Sequence, residues 1–459
     1  MNYRVRVASV YLLGFFIDLV NMFIANVAYP EIGRHFAAPV SELAWISNGY
    51  ILGLTLVIPI SSWLAKRIGA KRVFMLSLLV FMVGTAGVAA SSAVSQLIAW
   101  RCLQGAGGGM LIPIGQTLAY ALYPRHQRAK LSSAVMFIAL LAPALSPALG
   151  GVLVDSVSWR GVFLVSLPLA GLALILAGCW LKPDHKAQIT PPLDLFGLLT
   201  ACCALIQLML GLTFLGEKNH LLAGGLLLLS GILVMTIYVR NALKKAHPLL
   251  NLRLLKDPLL QTAMLVYQLI PGVFTGVNLI AMFYLQDQLG MPASSVGALM
   301  LPWAMASAVA ISLTGKRFNR SGPRPLFITG CLVQGLGIGL LAMTADATEV
   351  LTAVTAFTLM GFGGSLCSST AQSAAFLQIA EQDLADASAL WNINRQLSFC
   401  AGVTLISLMF TLIAGTGLPS GQVWTLCFLL AAFSAIIPLA CCLRINNPKI
   451  IFTLHQEQQ

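Results

Sequence analysis

The stretch Leu103-Gln-Gly-Ala-Gly-Gly-Gly-Met110 has a counterpart 256 residues later, Leu359-Met-Gly-Phe-Gly-Gly-Ser-Leu366. Both stretches lie deep in apolar runs, where glycine clusters favour close packing of helices over a phosphate-binding loop. A second pair of segments repeats at an offset of 253 residues, Ser62-Trp-Leu-Ala-Lys-Arg-Ile-Gly69 and Gly315-Lys-Arg-Phe-Asn-Arg-Ser-Gly322. The chain is therefore predicted to contain two related halves.

The composition around these repeats is that of a membrane protein. Hydrophobic residues make up 58% of the 459 residues and charged residues only 9%, against roughly 25% charged residues in soluble domains. Fourteen apolar stretches are long enough to cross a bilayer as helices. The predicted spans are Val7–Tyr29, Ala44–Ala65, Val73–Ala90, Gln96–Leu122, Leu131–Val154, Val162–Leu181, Leu195–Leu215, Leu221–Val239, Leu259–Leu285, Ser295–Leu313, Leu326–Met343, Val350–Leu377, Ala387–Ile413 and Val423–Leu443.

The formal net charge of +12 is explained by orientation in the membrane rather than by nucleic acid binding. With a cytoplasmic N-terminus, 22 of the 27 Lys and Arg residues fall in loops or ends on the cytoplasmic side, and three fall outside. Such a bias follows the positive-inside rule. We therefore expect a multi-pass protein of a bacterial inner membrane with both termini in the cytoplasm.

The repeat also predicts the domain organisation. Residues 1–185 and 246–459 are each expected to form a six-helix bundle. Residues 186–245 contain two further spans without counterparts in the repeat, together with their linkers. The predicted fold is all-α and polytopic, with fourteen transmembrane helices.

At these motifs the chain resembles the major facilitator superfamily, and in particular its fourteen-span drug/proton antiporter branch. The most specific segments are Arg101-Cys-Leu-Gln-Gly105, Ser146-Pro-Ala-Leu-Gly-Gly151 and Asn394-Arg-Gln-Leu397. The resemblance implies that the fourth-span arginine takes part in proton coupling. It links the fifth-span Gly/Pro motif to antiport and helix bending, and the loop motif to gating. The conformational motif residues implied in this way are Gln104, Gly105, Pro143, Pro147, Gly150, Gly151, Gly69 and Gly322.

The chain departs from the family pattern at two places. The loop motif has an acid four residues after its first glycine in the family, whereas here Lys66 and Asn319 occupy the two equivalent positions. The first-span motif has an acid at the position of Asn21, and the nearest carboxylate here is Asp18, one turn earlier on the same helical face.

Only three charged residues clearly lie inside the predicted spans, namely Asp18, Arg101 and Arg395. A charge in the bilayer costs roughly 2.5–3.5 kcal/mol on insertion scales, so such residues mark functional sites. Asp18 is predicted to bind the transported proton, with a structural pairing as the alternative. Arg101 is expected either to tune Asp18 or to reach the outer interface. Arg395 is expected to line the cavity or gate, or else to pack between helices.

A set of amide, aromatic and methionine side chains is predicted to form the substrate cavity or gate beside Arg395. These side chains hold amphipathic molecules without requiring a positive charge. Neutral, zwitterionic or weakly anionic substrates are therefore favoured over dications. The set comprises Asn21, Met22, Asn26, Tyr267, Gln268, Trp391, Asn392 and Asn394, and the faces expected to meet between the bundles also carry Phe23 and Met136.

The sequence is best interpreted as a proton-coupled exporter of small amphipathic compounds, including drugs, that works by alternating access. The alternatives are an exporter or facilitator of one metabolite and a transport-inactive membrane sensor or scaffold. No paired histidines or acids indicate catalysis or a metal site, so no enzyme, cofactor or metal is expected. The expected partners are a small-molecule substrate, protons and lipid, without nucleic acid, and the expected state is a monomer.

Overall fold

The computed structural model describes residues 2–38, 40–182, 192–215, 220–291, 293–344 and 349–456. These residues form helices and connecting turns, without a β-strand among them. The α-helices are α1 Tyr3–Phe36, α2 Val40–Ile68, α3 Ala70–Ala89, α4 Val94–Leu122, α5 Arg125–Ser156, α6 Trp159–Leu164, α7 Ser166–Trp180, α8 Leu195–Leu215, α9 Leu221–Lys244, α10 Pro258–Tyr267, α11 Val273–Phe283, α12 Ala293–Ala298, α13 Met300–Ser321, α14 Pro323–Leu341, α15 Val350–Ala375, α16 Leu384–Ala414, α17 Ser420–Phe433, α18 Ile436–Cys442 and α19 Asn447–Gln456.

Twelve helical segments of the described chain are long and apolar enough to cross a membrane. Helices α4 and α5 are not among these twelve segments, although they have 29 and 32 residues. Arg101, Gln104 and a run of glycines lower the hydropathy of α4. The protein is thus an all-helical, multi-pass membrane protein.

Glycine contacts show that the sequence repeat is also a structural repeat. A Cβ atom at Gly105 of α4 would overlap the backbone carbonyl of Tyr50 in α2. The equivalent Cβ at Gly361 of α15 would overlap the carbonyl of Trp303 in α13. Both pairs keep the offsets of the sequence repeat, so the same close helix packing occurs in each half. A second equivalent pair consists of Gly107 against Phe81 and Gly363 against Gln334.

The turns of the repeated loop motif have the same backbone conformation. Gly69 joins α2 to α3 with φ of +96°, and Gly322 joins α13 to α14 with φ of +71°. Side chains other than glycine rarely adopt this left-handed region. The requirement for glycine explains why this residue type ends the motif in both halves.

The two described ends of the chain lie on one face of the molecule, which we call the basic face. Tyr3 accepts a hydrogen bond from the backbone of Lys182 at the end of α7. Near the other end, Asn447 donates to Ser321 at the end of α13 at 2.7 Å. The turns between α2 and α3 and between α4 and α5 reach the same face, through Lys71 contacts to α7 and an Asn319 contact to His126.

Helices α8 and α9 pack tightly against each other and then against both halves. The backbone of Leu228 approaches Gly211 so closely that a Cβ there would lie 2.7 Å from its nitrogen. Helix α8 contacts α2 through Cys202, whose thiol lies 3.5 Å from the carbonyl of Leu56. It contacts α16 through its Leu212 carbonyl, which accepts from Thr404 at 2.8 Å. The pair therefore covers the junction between α2 and α16.

Prolines shape two of the predicted spans differently. Helix α5 continues through Pro143 as one 32-residue helix. The ninth predicted span is interrupted by a π-helical turn, Gln268–Gly272, which contains Pro271. A proline inside a helix cannot donate its backbone hydrogen bond. Pro271 therefore lies in a local widening of the helix rather than in a regular α-helical turn.

Candidate functional site

Asp18 is enclosed by three helices of the N-terminal half. Its side chain is 1% exposed, and its carboxylate accepts a hydrogen bond from the hydroxyl of Tyr50 in α2. The carboxylate lies against Gly108 of α4, where a Cβ atom would overlap it. No salt bridge to Asp18 is formed within the described part of the chain. Asp18 is thus a buried acid whose direct partner is a neutral hydroxyl group.

Arg101 lies one layer away from Asp18, across the ring of Tyr50. The guanidinium carbon is 4.3 Å from the centre of that ring. Arg101 donates to the side chain of Asn21, to Gln104 Oε1 at 2.7 Å and to the carbonyl of Ile46 at 3.2 Å. The side chain is fully buried, so it does not reach the outer interface.

Asn21 therefore belongs to the arginine cluster. Its amide nitrogen donates to Ser166 Oγ of α7 at 3.2 Å, while its oxygen accepts from Arg101. Gln104 donates in turn to Thr85 Oγ1 at 2.7 Å. These bonds hold the guanidinium with neutral partners, so the positive charge of Arg101 stays uncompensated by a direct carboxylate contact.

Arg395 brings a second positive charge towards Asp18 from the C-terminal half. Its guanidinium carbon lies 5.3 Å from the ring centre of Phe15 in α1. The side chain is 7% exposed, and its Nε has no hydrogen-bond partner among the described residues. The side chain of Arg395 is thus positioned between α16 and α1, one turn of α1 away from Asp18.

Two hydrogen-bonded connections between polar side chains join the two halves. Asn392 donates to Gln116 Oε1 of α4 at 3.0 Å. Trp391 donates to Gln372 Oε1 at 2.7 Å, and Gln372 donates to the hydroxyl of Tyr120 at 3.3 Å. Both connections run from α16 to α4 and have to break or rearrange if the two halves separate.

The remaining predicted cavity residues lie at different places. Asn394 accepts from Gln268 at 3.0 Å within the C-terminal half. The ring of Tyr267 packs at 5.1 Å against that of Trp391. Met22 is half-buried and packs on the N-terminal core. The side chains of Asn26 and Pro147 lie outside what the structure describes.

A cavity of about 210 Å³ lies between the two halves. Of the predicted residues, Phe23, Met136, Pro143 and Tyr267 line it. Its volume is below the roughly 300–1,000 Å³ of typical ligand pockets. Further lining residues, which the sequence pattern does not single out, are Phe274, Trp303, Met360, Ser365, Ser368 and Phe399.

The basic face is closed by contacts between the halves. Lys66 Nζ lies 2.7 Å from Asp386 Oδ2 at the start of α16, and Ser62 donates to the same carboxylate. On the opposite flank, Arg128 donates to the carbonyl of Phe376. Lys66, which occupies the position of the expected acid in the loop motif, therefore forms an ion pair with an acid of the other half.

The other motif residues have packing roles. Gly150 lies against Ile24 and Val27 of α1, where a Cβ would be 3.1 Å away from either side chain. Gly151 has open space around it. All ten cysteines are free. Tyr50, Gly108 and Asp386 complete the site, and no sequence signal predicted them because their partners are 32 or more residues away.

Comparison with known proteins gives consistent results. A family model described as Major Facilitator Superfamily matches residues 11–403. The chain is 30% identical over 419 residues to "Multidrug resistance protein B homolog" of Mycobacterium tuberculosis (strain CDC 1551 / Oshkosh), covering 88% of this chain and 76% of the relative. It is 28% identical over 400 residues to "Putative multidrug resistance protein MdtD" of Yersinia pestis (strain Pestoides F), covering 86% and 85% respectively.

Among solved structures, the human organic anion transporter MFSD10 (TETRAN) superposes with a TM-score of 0.69 at 15% identity. The superposition covers 96% of this chain and all of the other. At this identity the match concerns the fold alone.

Proposed function

Because this chain belongs to the Major Facilitator Superfamily, we propose that it is a proton-coupled antiporter that exports small amphipathic compounds, including drugs. The relatives named for multidrug resistance support this class of substrate. The proposed setting is a bacterial inner membrane, with both termini in the cytoplasm and the basic face turned inwards. The proposed partners are the substrate, protons and lipid, and the proposed state is a monomer.

We propose further that α4 and α5 cross the membrane as well, which makes fourteen spans as in the drug/proton antiporter branch. In this arrangement residues 1–185 and 246–459 are the two bundles. Residues 186–245 add the α8–α9 pair, which packs on the bundles from outside.

The observation that carries the proton coupling is the burial of Asp18 beside Tyr50, with Arg395 reaching towards it from the other half. When Asp18 is ionised, its carboxylate attracts Arg395 and draws α16 towards α1. When Asp18 is protonated, this attraction is lost and the halves separate more easily. A proton can thereby be exchanged for a substrate in alternating access.

Substitution of Asp18 tests the proposal directly. In proteoliposomes with an imposed proton gradient, Asp18→Asn is expected to abolish gradient-driven drug transport because the amide cannot be ionised. Exchange of labelled for unlabelled drug without a gradient should persist, since substrate binding is retained. Glu42→Gln, an exposed acid in α2, is the matched control. Gradient-driven transport by Asp18→Asn at the wild-type rate would refute the coupling role.

A further inference from the structure

A second cavity, of about 380 Å³, lies where α8 and α9 cover the junction between the two halves. Pro59 of α2, Leu205 of α8 and Met235 of α9 contribute to its wall. Leu390 and Ile393 of α16 form the opposing side. The additional helix pair and both halves thus share one cavity. Its volume lies in the lower part of the range of ligand sites.

The wall of this cavity is almost entirely hydrocarbon, with a cation at one end. Lys256 lies at the rim, is exposed, and has no ion-pair partner among the described residues. The neighbouring acid, Asp257, is occupied as the cap of α10, where it accepts from the backbone of Leu259 at 2.7 Å. The ammonium group of Lys256 is therefore available to an anion at the mouth of the cavity.

The other end of the cavity meets the polar centre of the protein. Asn394 is part of the lining and bonds to Gln268 in the π-helical turn. The next residue along α16 is Arg395, whose Nε lacks a partner in the described structure. The cavity therefore leads from the basic face towards the groups that couple the two halves.

We propose that this cavity is the lateral access site for exported amphiphiles with one hydrocarbon chain and an anionic head group. The apolar wall receives the chain from the adjacent leaflet, and Lys256 binds the head group. The limited volume favours a single chain over the two chains of a phospholipid. This inference rests on the proposed function as an exporter and specifies its substrate class.

Photolabelling tests the site without any transport step. The full-length protein in phosphatidylcholine nanodiscs is irradiated with a diazirine-bearing dodecanoate, and labelled peptides are identified by mass spectrometry. Labelling is expected in residues 235–243 of α9 and 390–397 of α16. Dodecanoate should compete for it, whereas dodecyltrimethylammonium should compete far more weakly, because Lys256 repels its cationic head group.

Two variants and two matched controls define the site. Ile393→Trp fills the cavity and should weaken labelling about tenfold. Lys256→Gln removes the exposed charge and should weaken it about two- to fivefold. Leu226→Trp on the exposed side of α9 and Lys244→Gln at its end should label like the wild type. If Ile393→Trp fails to fold, Leu205→Trp on the facing wall replaces it.

Several results would overturn the proposal. One is labelling that neither Ile393→Trp nor Lys256→Gln weakens. Another is competition by dodecyltrimethylammonium as strong as that by dodecanoate. A third is equally strong competition by phosphatidylglycerol, which would indicate that the cavity holds a resident lipid. The Asp18→Asn variant distinguishes the proposed access site from the proposed proton coupling, because photolabelling uses no proton gradient. Normal labelling of Asp18→Asn without driven export supports both. Driven export by this variant at the wild-type rate refutes only the coupling role.

Discussion

At the scale of single residues, Asn21 and Asp18 lie on one face of α1 but have different partners. Asn21 occupies the place next to Arg101 and binds it as a neutral amide. The ionisable group is displaced by one turn to Asp18, where Tyr50 holds it. The ring of Tyr50 lies between the two charges. The ring of Tyr50 thus separates Asp18 from Arg101, and Arg395 approaches α1 from the other half.

This arrangement predicts that the acid can be moved back along the helix. Asn21→Asp in the Asp18→Asn background should restore a measurable part of gradient-driven transport, because it places a carboxylate in direct contact with Arg101. The measurement is drug uptake into inverted vesicles energised by a proton gradient. Asn21→Gln in the same background is the control and should remain inactive. Equal inactivity of both double variants would contradict the prediction.

Gly108 should be as sensitive to substitution as the carboxylate itself. A Cβ at this position would overlap Asp18 Oδ1 and lie 2.7 Å from the hydroxyl of Tyr50. Gly108→Ala is therefore expected to displace the carboxylate, to lower stability by about 1–3 kcal/mol and to reduce driven transport strongly. Gly171→Ala in α7 has open space around it and is the matched control. Similar thermal unfolding and transport of the two variants would disprove this role.

At the scale of elements, the ends of α2 and α16 form the clearest contact across the halves. Lys66 and Asp386 are ion-paired at 2.7 Å, so single substitutions should leave one charge without its partner. Lys66→Asp and Asp386→Lys are each expected to impair transport, and the double variant should recover because the pair is re-formed with exchanged charges. The transport rates of the wild type, the two single variants and the double variant give the interaction energy between the two residues. Lys130→Gln, at an exposed basic residue of α5, serves as control.

The sequence predicted part of this contact. It located the motif and the replacement of the acid by Lys66, because both lie within eight consecutive residues. It did not predict Asp386, which is 320 residues away and becomes a partner only through the packing of α2 on α16. In the same way, Asp18 and Arg101 were found as charges in apolar spans, whereas Tyr50 and Gly108 look like ordinary residues of such spans. Local pattern reveals rare polar groups, and tertiary contact decides their partners.

At the scale of the whole molecule, the sequence repeat predicted equivalent helix contacts in the two halves, because glycine spacing and close helix packing are directly linked. The same contacts occur at Gly105 and Gly361. The central cavity was predicted less well, since Phe23, Met136, Tyr267 and Pro143 line it but none of the expected amides does. In a uniformly apolar helix, the hydrophobic pattern does not define the rotation of the helix about its axis. The sequence therefore does not show which face meets the opposite half. The amides instead form contacts between helices around the cavity.

Whether the chain has twelve or fourteen spans can be tested at the loop between α4 and α5. Helices α4 and α5 are consecutive, so if neither crossed, the orientation of every other helix would be unchanged and only residues 123–130 would move to the other side. Arg125, Arg128 and Lys130 in and beside this loop favour the cytoplasm, and Arg128 binds the end of α15 at the basic face. In a cysteine-free variant, Lys130→Cys should thus resist a membrane-impermeant maleimide in intact cells and react after permeabilisation. Ser92→Cys, before α4, should react without permeabilisation. Labelling of Lys130→Cys in intact cells would exclude fourteen spans.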